Sequence, residues 1–103
     1  MKKGIIRTTT YDNYDRFSRL GLSIFIDNRH IIADIWCDKI NKAIEIIIKE
    51  NGKVERITYD QRVYAIPAVE EILNCRLKCE NYWREYQNIN NFENDVYDVF
   101  NSS

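Results

Sequence analysis

Asn51 and Gly52 separate two β-branched runs in the stretch AIEIIIKENGKVERITY, from Ala43 to Tyr59. Asn-Gly is the dipeptide that most readily takes the two positive φ angles of a type I′ turn, so the stretch predicts a β-hairpin with a two-residue loop. A loop of that length sets the register: Lys49 opposite Val54, Ile46 opposite Ile57 and Ile44 opposite Tyr59. The side chains of Ile44, Ile46, Ile48, Ile57 and Tyr59 then share one face, which becomes the candidate core.

The same period of two runs upstream. Leu22, Ile24 and Ile26 alternate with Ser23 and Phe25, and beyond the polar cluster Asp27 to His30 the residues Ile31, Ala33, Ile35 and Cys37 alternate with Ile32, Asp34 and Trp36. A loop at Asn28-Arg29 pairs Ile26 with Ile31, Ile24 with Ala33 and Leu22 with Ile35. A second loop at Lys39 to Lys42 pairs Cys37 with Ile44, Ile35 with Ile46 and Ala33 with Ile48. A one-residue slip would send each apolar set to the wrong side, so the agreement of these loops on one face is a strong constraint. The segment Gly4 to Thr10 predicts a further strand, placed at an edge by its lysines and its terminal position. Tyr14, Phe17 and Leu20 recur every three residues between Tyr11 and Gly21, which suggests a short helix or an ordered loop.

Pro67 is suited to the first turn of a helix, and beyond it Ala68, Ile72, Cys75, Cys79, Tyr82 and Tyr86 recur at steps of four and three, with Val69, Leu73 and Trp83 widening the stripe. The spacing predicts one amphipathic helix of about twenty residues packed on the Ile-rich face. After it, residues 88–103 form an acidic tail, either frayed or closing in a last short helix on which Phe92, Val96 and Phe100 share a face. The expected fold is α+β: an antiparallel β-meander of four to five strands packed on one long α-helix, in one small domain spanning residues 1–103.

Charge and composition exclude several classes of function. The net charge is −1, which argues against a surface built throughout to coat nucleic acid. Only Ile5 and Ile6 interrupt the polar N-terminus, too few for a signal peptide or membrane span, and three cysteines are an odd number for a disulfide framework. The expectation is a soluble cytoplasmic protein with free thiols. Ile, Asn, Lys and Tyr are abundant and Gly, Pro and Ala scarce. That bias is associated with AT-rich genomes, including many viruses and mobile elements.

Candidate binding residues come from the other face of the sheet, which by these registers carries Phe25, Ile32, Trp36, Ile47 and Val54 beside Asp34, Glu45, Lys49, Arg56 and Thr58. Water alone would select a more polar set, so something is expected to cover it. The N-terminal segment or the tail folding back is the preferred cover; a partner protein is the functional alternative. The leading function is a non-catalytic protein-interaction module, an inhibitor or adaptor that blocks a host protein, using Phe25 and Trp36 with the acidic aromatic tail residues Glu93, Asp95, Tyr97 and Asp98. Homodimerisation through an edge strand or this face is also compatible with the pattern. The alternative is a nucleic-acid binder using the basic aromatic segment Lys2, Lys3, Arg7, Tyr11, Tyr14, Arg16 and Arg19, weakened by Asp12 and Asp15 within it. The two ends lying against each other is the simpler reading of their opposite charges.

Catalysis has little support. There is one histidine, the serines Ser18, Ser23, Ser102 and Ser103 are scattered, and no nucleophile elbow or phosphate-cradling loop occurs. A small hydrolase or nuclease would have to use the outer-face carboxylates Asp34 and Glu45 with Arg56. Cys37, Cys75, Cys79 and His30 are the residue types of a zinc site, but the spacing is wrong for a knuckle and the cysteines fall on apolar faces. No metal, cofactor or membrane partner is expected. Asn101-Ser102-Ser103 matches a glycosylation sequon, without consequence in a chain with no export signal.

Overall fold

A computed structural model describes residues 1–102. Ser103, the end of the predicted tail and of the sequon, lies outside the described residues. The strands are β1 (Lys2–Asn13), β2 (Phe17–Ile26), β3 (Arg29–Asp38), β4 (Ala43–Glu50) and β5 (Lys53–Tyr59), followed by helix α1 (Ala65–Leu73), strand β6 (Cys75–Cys79) and helix α2 (Tyr82–Asn101). One six-stranded sheet has the order β5-β4-β3-β2-β1-β6, antiparallel throughout except that β6 runs parallel to β1. The fold is α+β, and the C-terminal helix packs on the sheet.

The Asn51-Gly52 hairpin has the expected register, with Lys49 opposite Val54, Ile46 opposite Ile57 and Ile44 opposite Tyr59. Asn51 at φ 51° and Gly52 at φ 79° supply the two left-handed residues. Cys37, Ile35 and Ala33 face Ile44, Ile46 and Ile48 as the loop at Lys39 to Lys42 requires. Between β2 and β3 the pairing differs by two residues: Ile24 faces Ile31, Leu22 faces Ala33 and Leu20 faces Ile35. Asp27, not Asn28, takes the left-handed conformation at φ 52°, which moves the loop to Asp27-Asn28. A slip of two leaves every side chain on its predicted face, so the hydrophobic pattern could not detect it.

Three placements are corrected. The N-terminal strand extends to Asn13 and β2 begins at Phe17, so a hairpin replaces the short helix or ordered loop expected at Tyr11 to Gly21. β1 is not an edge strand, because β6 covers its free side from Lys2↔Cys75 to Ile6↔Cys79. The single helix expected from Pro67 to Tyr86 is broken at Asn74, which sits at φ 51° and turns its N–H back to the carbonyls of Glu70 and Glu71. Past that stop, Cys75, Leu77 and Cys79 alternate with exposed Arg76 and Lys78 and form β6.

The long helix instead spans 82–101, through the predicted tail. Asn81 caps it by accepting from the N–H of Arg84, and Glu85, one position beyond the residue that closes a capping box, accepts from the Asn81 N–H at 2.7 Å. Glu85, Phe92, Val96 and Val99 are its buried residues. Both helices therefore serve one face of the sheet, where Ile6, Leu20, Leu22, Ile24, Ile35 and Ile46 join Val69 of α1 and Phe92 and Val96 of α2 in a continuous core.

Candidate functional site

Because α1 and α2 are both committed to the inner face, no helix or loop among the described residues crosses the outer face of the sheet. The strand registers arrange that face in rows. One row runs Thr58, Glu45, Trp36, Arg19, Asp12 across five strands; another runs His30, Phe25, Ile5, Lys78 across β3, β2, β1 and β6. Gly21 and Ile47 lie between them, opposite Asp34 on either side.

At one end of the face the side chains assemble around Trp36. The Arg19 guanidinium forms a two-pronged ion pair with Asp34, at 2.7 and 2.9 Å, and lies 4.8 Å from the centre of the Trp36 ring. Asp34 is only 7% exposed, so this pair is shielded from water more than a surface bridge is. Phe17 meets Trp36 edge-on at 4.8 Å and Tyr14 meets Phe17 at 4.9 Å. The result is a depression of about 570 Å³ whose lining includes Phe17, Trp36, Arg16, Asp38, Ile40 and Glu45. Backbone N–H groups of Asn41 and Ile40, with the Asn41 side chain, hold the Asp38 carboxyl below its ordinary range. Arg56 pairs with Glu45 at 3.3 Å.

At the diagonal corner Ile5 and Phe25 face each other across β1 and β2, 48% and 40% exposed. His30 stacks on Phe25 with ring centres 4.6 Å apart and planes at 2°, and donates to or accepts from Ser23 Oγ through Nε2 at 2.6 Å. The Ser23–His30 contact resembles a nucleophile with its base, and among the described residues no carboxylate is hydrogen-bonded to the imidazole. The outer carboxylates proposed for catalysis, Asp34 and Glu45, are each tied to an arginine.

The partner-binding residues predicted from sequence are divided by the fold. Phe25 and Trp36 lie on the open face. Glu93 and Asp95 are spent internally: Glu93 accepts from the Ala65 N–H at 2.7 Å, capping α1 where Tyr64 offers no side-chain bond, and Asp95 accepts from Ser18 at 2.6 Å and from the Tyr11 hydroxyl. Burial pushes the Glu93 carboxyl above its ordinary value and, with the bond to Asp95, raises the Tyr11 hydroxyl as well. Tyr97 and Asp98 are exposed but belong to α2, on the other side of the sheet. Tyr97 is stacked under the Arg62 guanidinium at 4.9 Å. The four tail residues thus lie on the helix that closes the inner face, apart from Phe25 and Trp36.

The predicted basic segment does not form one patch. Lys2 pairs with Asp27 at 3.1 Å, Arg7 with Glu80 at 2.7 Å and Arg19 with Asp34, while Tyr11 turns to the inner side against the core. Lys3, Tyr14 and Arg16 remain exposed, spread along β1 and the turn after it. As the opposite charges suggested, the basic N-terminal strand lies against the acidic C-terminal part of the chain. The expectation that an end would fold over the outer face is not met, since α2 packs on β1 and β2 from the inner side.

The metal-type residues are likewise separated. His30 is on the outer face, whereas Cys37, Cys75 and Cys79 are free thiols turned inward. Burial pushes the Cys37 thiol up to about 11. No helix among the described residues is long and apolar enough to cross a membrane.

Sequence reasoning missed two groups. Glu85 is fully buried and accepts from Asn81 N–H, Arg84 Nε, Thr8 N–H and Thr8 Oγ1. Burial pushes its carboxyl up, but those donors outweigh it and leave it below the ordinary value. Tyr82, Trp83 and Tyr86, assigned to a buried stripe, are instead a surface aromatic cluster on the first turns of α2, with Trp83 78% exposed. Asn81, a residue type that caps helix starts, was the available signal for where α2 begins. No family model, curated protein or solved structure matches this chain.

Proposed function

We propose that this protein is a non-catalytic protein-binding module whose interface is the outer face of the sheet, centred on Trp36 and extending to Phe25. The observation that carries this reading is the fold's asymmetry: both helices cover one face, and no element among the described residues covers the other, where Phe25, Ile5 and Val54 are exposed and Trp36 is half-buried. Exposed Ile5, Phe25 and Val54 and half-buried Trp36, set among ion-paired side chains, have the mixed composition of an interface. Trp36, held by Phe17 and Arg19, is a preformed anchor of the residue type that dominates binding energy elsewhere. An inhibitor or adaptor role follows if the bound surface of the partner is one it needs for other contacts. A second copy of the chain would satisfy the same face and give a homodimer.

The test is affinity capture of partners by the tagged protein, nuclease-treated, beside Trp36→Ala and Tyr97→Ala variants. Trp36→Ala is expected to lose a stoichiometric protein partner while remaining folded, and Tyr97→Ala, on the helical side, to retain it. Loss through Tyr97→Ala alone would reject the outer face, and a partner released by nuclease with steep salt dependence would favour nucleic acid instead.

A further inference from the structure

The corner of the outer face formed by β6, β1 and β2 differs from the rest of it in charge. Elsewhere on that face Arg7 is answered by Glu80, Arg19 by Asp34 and Arg56 by Glu45, and the exposed Arg16 and Lys49, which have no ion-pair partner among the described residues, stand singly, one in the turn before β2 and the other on β4. Lys3, Arg76 and Lys78, all exposed, have no ion-pair partner among the described residues. The parallel register of β1 with β6 sets Lys3 beside Arg76 and Ile5 beside Lys78, so the cations flank the exposed Ile5 and Phe25. Together with Leu77 they line a depression of about 580 Å³, whose one carboxylate, Asp27, is already bonded to Lys2.

An apolar floor ringed by unanswered cations selects a ligand that brings both a nonpolar side chain and negative charge. We infer that this corner binds an acidic peptide segment of the partner, seating an aliphatic side chain on Ile5 and Phe25 and its carboxylates on Lys3, Arg76 and Lys78. A nucleic acid fits less well. Single strands are held largely by bases stacking on free aromatic faces, and the Phe25 ring is already stacked by His30, with the Arg7 guanidinium 5.9 Å from its centre. The floor is otherwise aliphatic. The inference rests on the proposed protein-binding face and adds the chemistry of what one corner of it recognises.

The probes are a fluorescent peptide alternating glutamate and leucine, the same peptide with lysine for glutamate, and a single-stranded oligonucleotide of equal negative charge. Binding is read by anisotropy and mapped by amide NMR shifts at low and physiological salt. The acidic peptide is expected to shift amides around Ile5, Phe25 and Leu77 and to bind more tightly than either other probe. The triple variant Lys3→Glu, Arg76→Glu, Lys78→Glu is expected to weaken it by about tenfold or more, the scale of removing several exposed ion pairs at once. Tyr97→Ala, on the helical side, should leave the peptide's affinity unchanged. Shifts elsewhere, indifference to the triple variant, or tighter binding of the oligonucleotide at this corner would overturn the inference. If the triple variant still captures the partner that Trp36→Ala loses, the corner fails while the outer face stands; if neither variant affects capture, the outer face itself fails.

Discussion

Replacing Glu85 by Gln should test how the open face arises, because this one carboxylate fastens α2 to the inner side of β1. Its two oxygens accept from the Asn81 N–H at 2.7 Å, Arg84 Nε at 2.9 Å, and Thr8 N–H and Oγ1 at 3.3 Å each, with no exposure to water. Glutamine keeps one acceptor oxygen and turns its amide hydrogens toward donors on the other side. At least one buried N–H then loses its partner, at about 1–3 kcal/mol, while loss of the ion pair to Arg84, whose side chain is 54% exposed, adds little. Against a total stability of about 5–15 kcal/mol this is a sizeable fraction, and it corresponds to a fall in Tm of roughly 5–20 °C for a domain of this size. The carboxyl is held below the usual 4.5 in the folded protein. Its stabilisation is therefore present above that unfolded-state value and lost as pH falls through the folded one. Thermal unfolding followed by circular dichroism from neutral pH to below pH ~4 measures both effects. The variant should melt lower at neutral pH, with the gap to the parent closing in acid. A Tm within a few degrees of the parent at neutral pH would refute the anchoring role.

Glu93 carries the opposite sign. Burial raises its carboxyl above 4.5, so the folded state holds its proton more tightly than the unfolded chain, and stability is lost as pH rises through the folded value. Glu93→Gln keeps an acceptor for the Ala65 N–H without the charge. It should melt no lower than the parent at neutral pH, its relative advantage shrinking toward pH ~4; a clearly lower Tm at neutral pH would contradict this. At the hairpin, Gly52 sits at φ 79°, and Gly52→Val forces a β-branched residue into the left-handed region at about 1–3 kcal/mol. Urea unfolding should show that loss, and an unchanged midpoint would mean the turn is not type I′.

The central strands were legible because two independent signals agreed: strict alternation chose the buried face and Asn51-Gly52 chose the register. Where only alternation spoke, between Ile26 and Ile31, the face was right and the pairing slipped by two. The segment from Ala68 to Tyr86 was ambiguous in physical terms. Cys75 and Cys79 fit a helical stripe at i and i+4, yet with Leu77 between them they also fit a strand, and the unpaired side of β1 decided the matter. Asn74 was the local mark of that break, as a residue able to enter the left-handed region at a helix end. Of the candidate site, Phe25 and Trp36 followed from parity alone. The roles of Glu93 and Asp95 did not, because a carboxylate in a sequence looks the same whether it faces water or, as here, the Ala65 N–H or the hydroxyls of Tyr11 and Ser18. Arg76 and Lys78 gained meaning only once β6 set them beside Lys3 and Ile5.

The most direct measurement is site-specific photo-crosslinking of the captured partner, with the photoreactive residue placed either at Ile32, in the middle of the outer face, or at Asn94, exposed on α2. A covalent adduct with the partner is predicted from position 32 and none from position 94. An adduct from position 94 alone would place the interface on the helical side and contradict the outer-face interface.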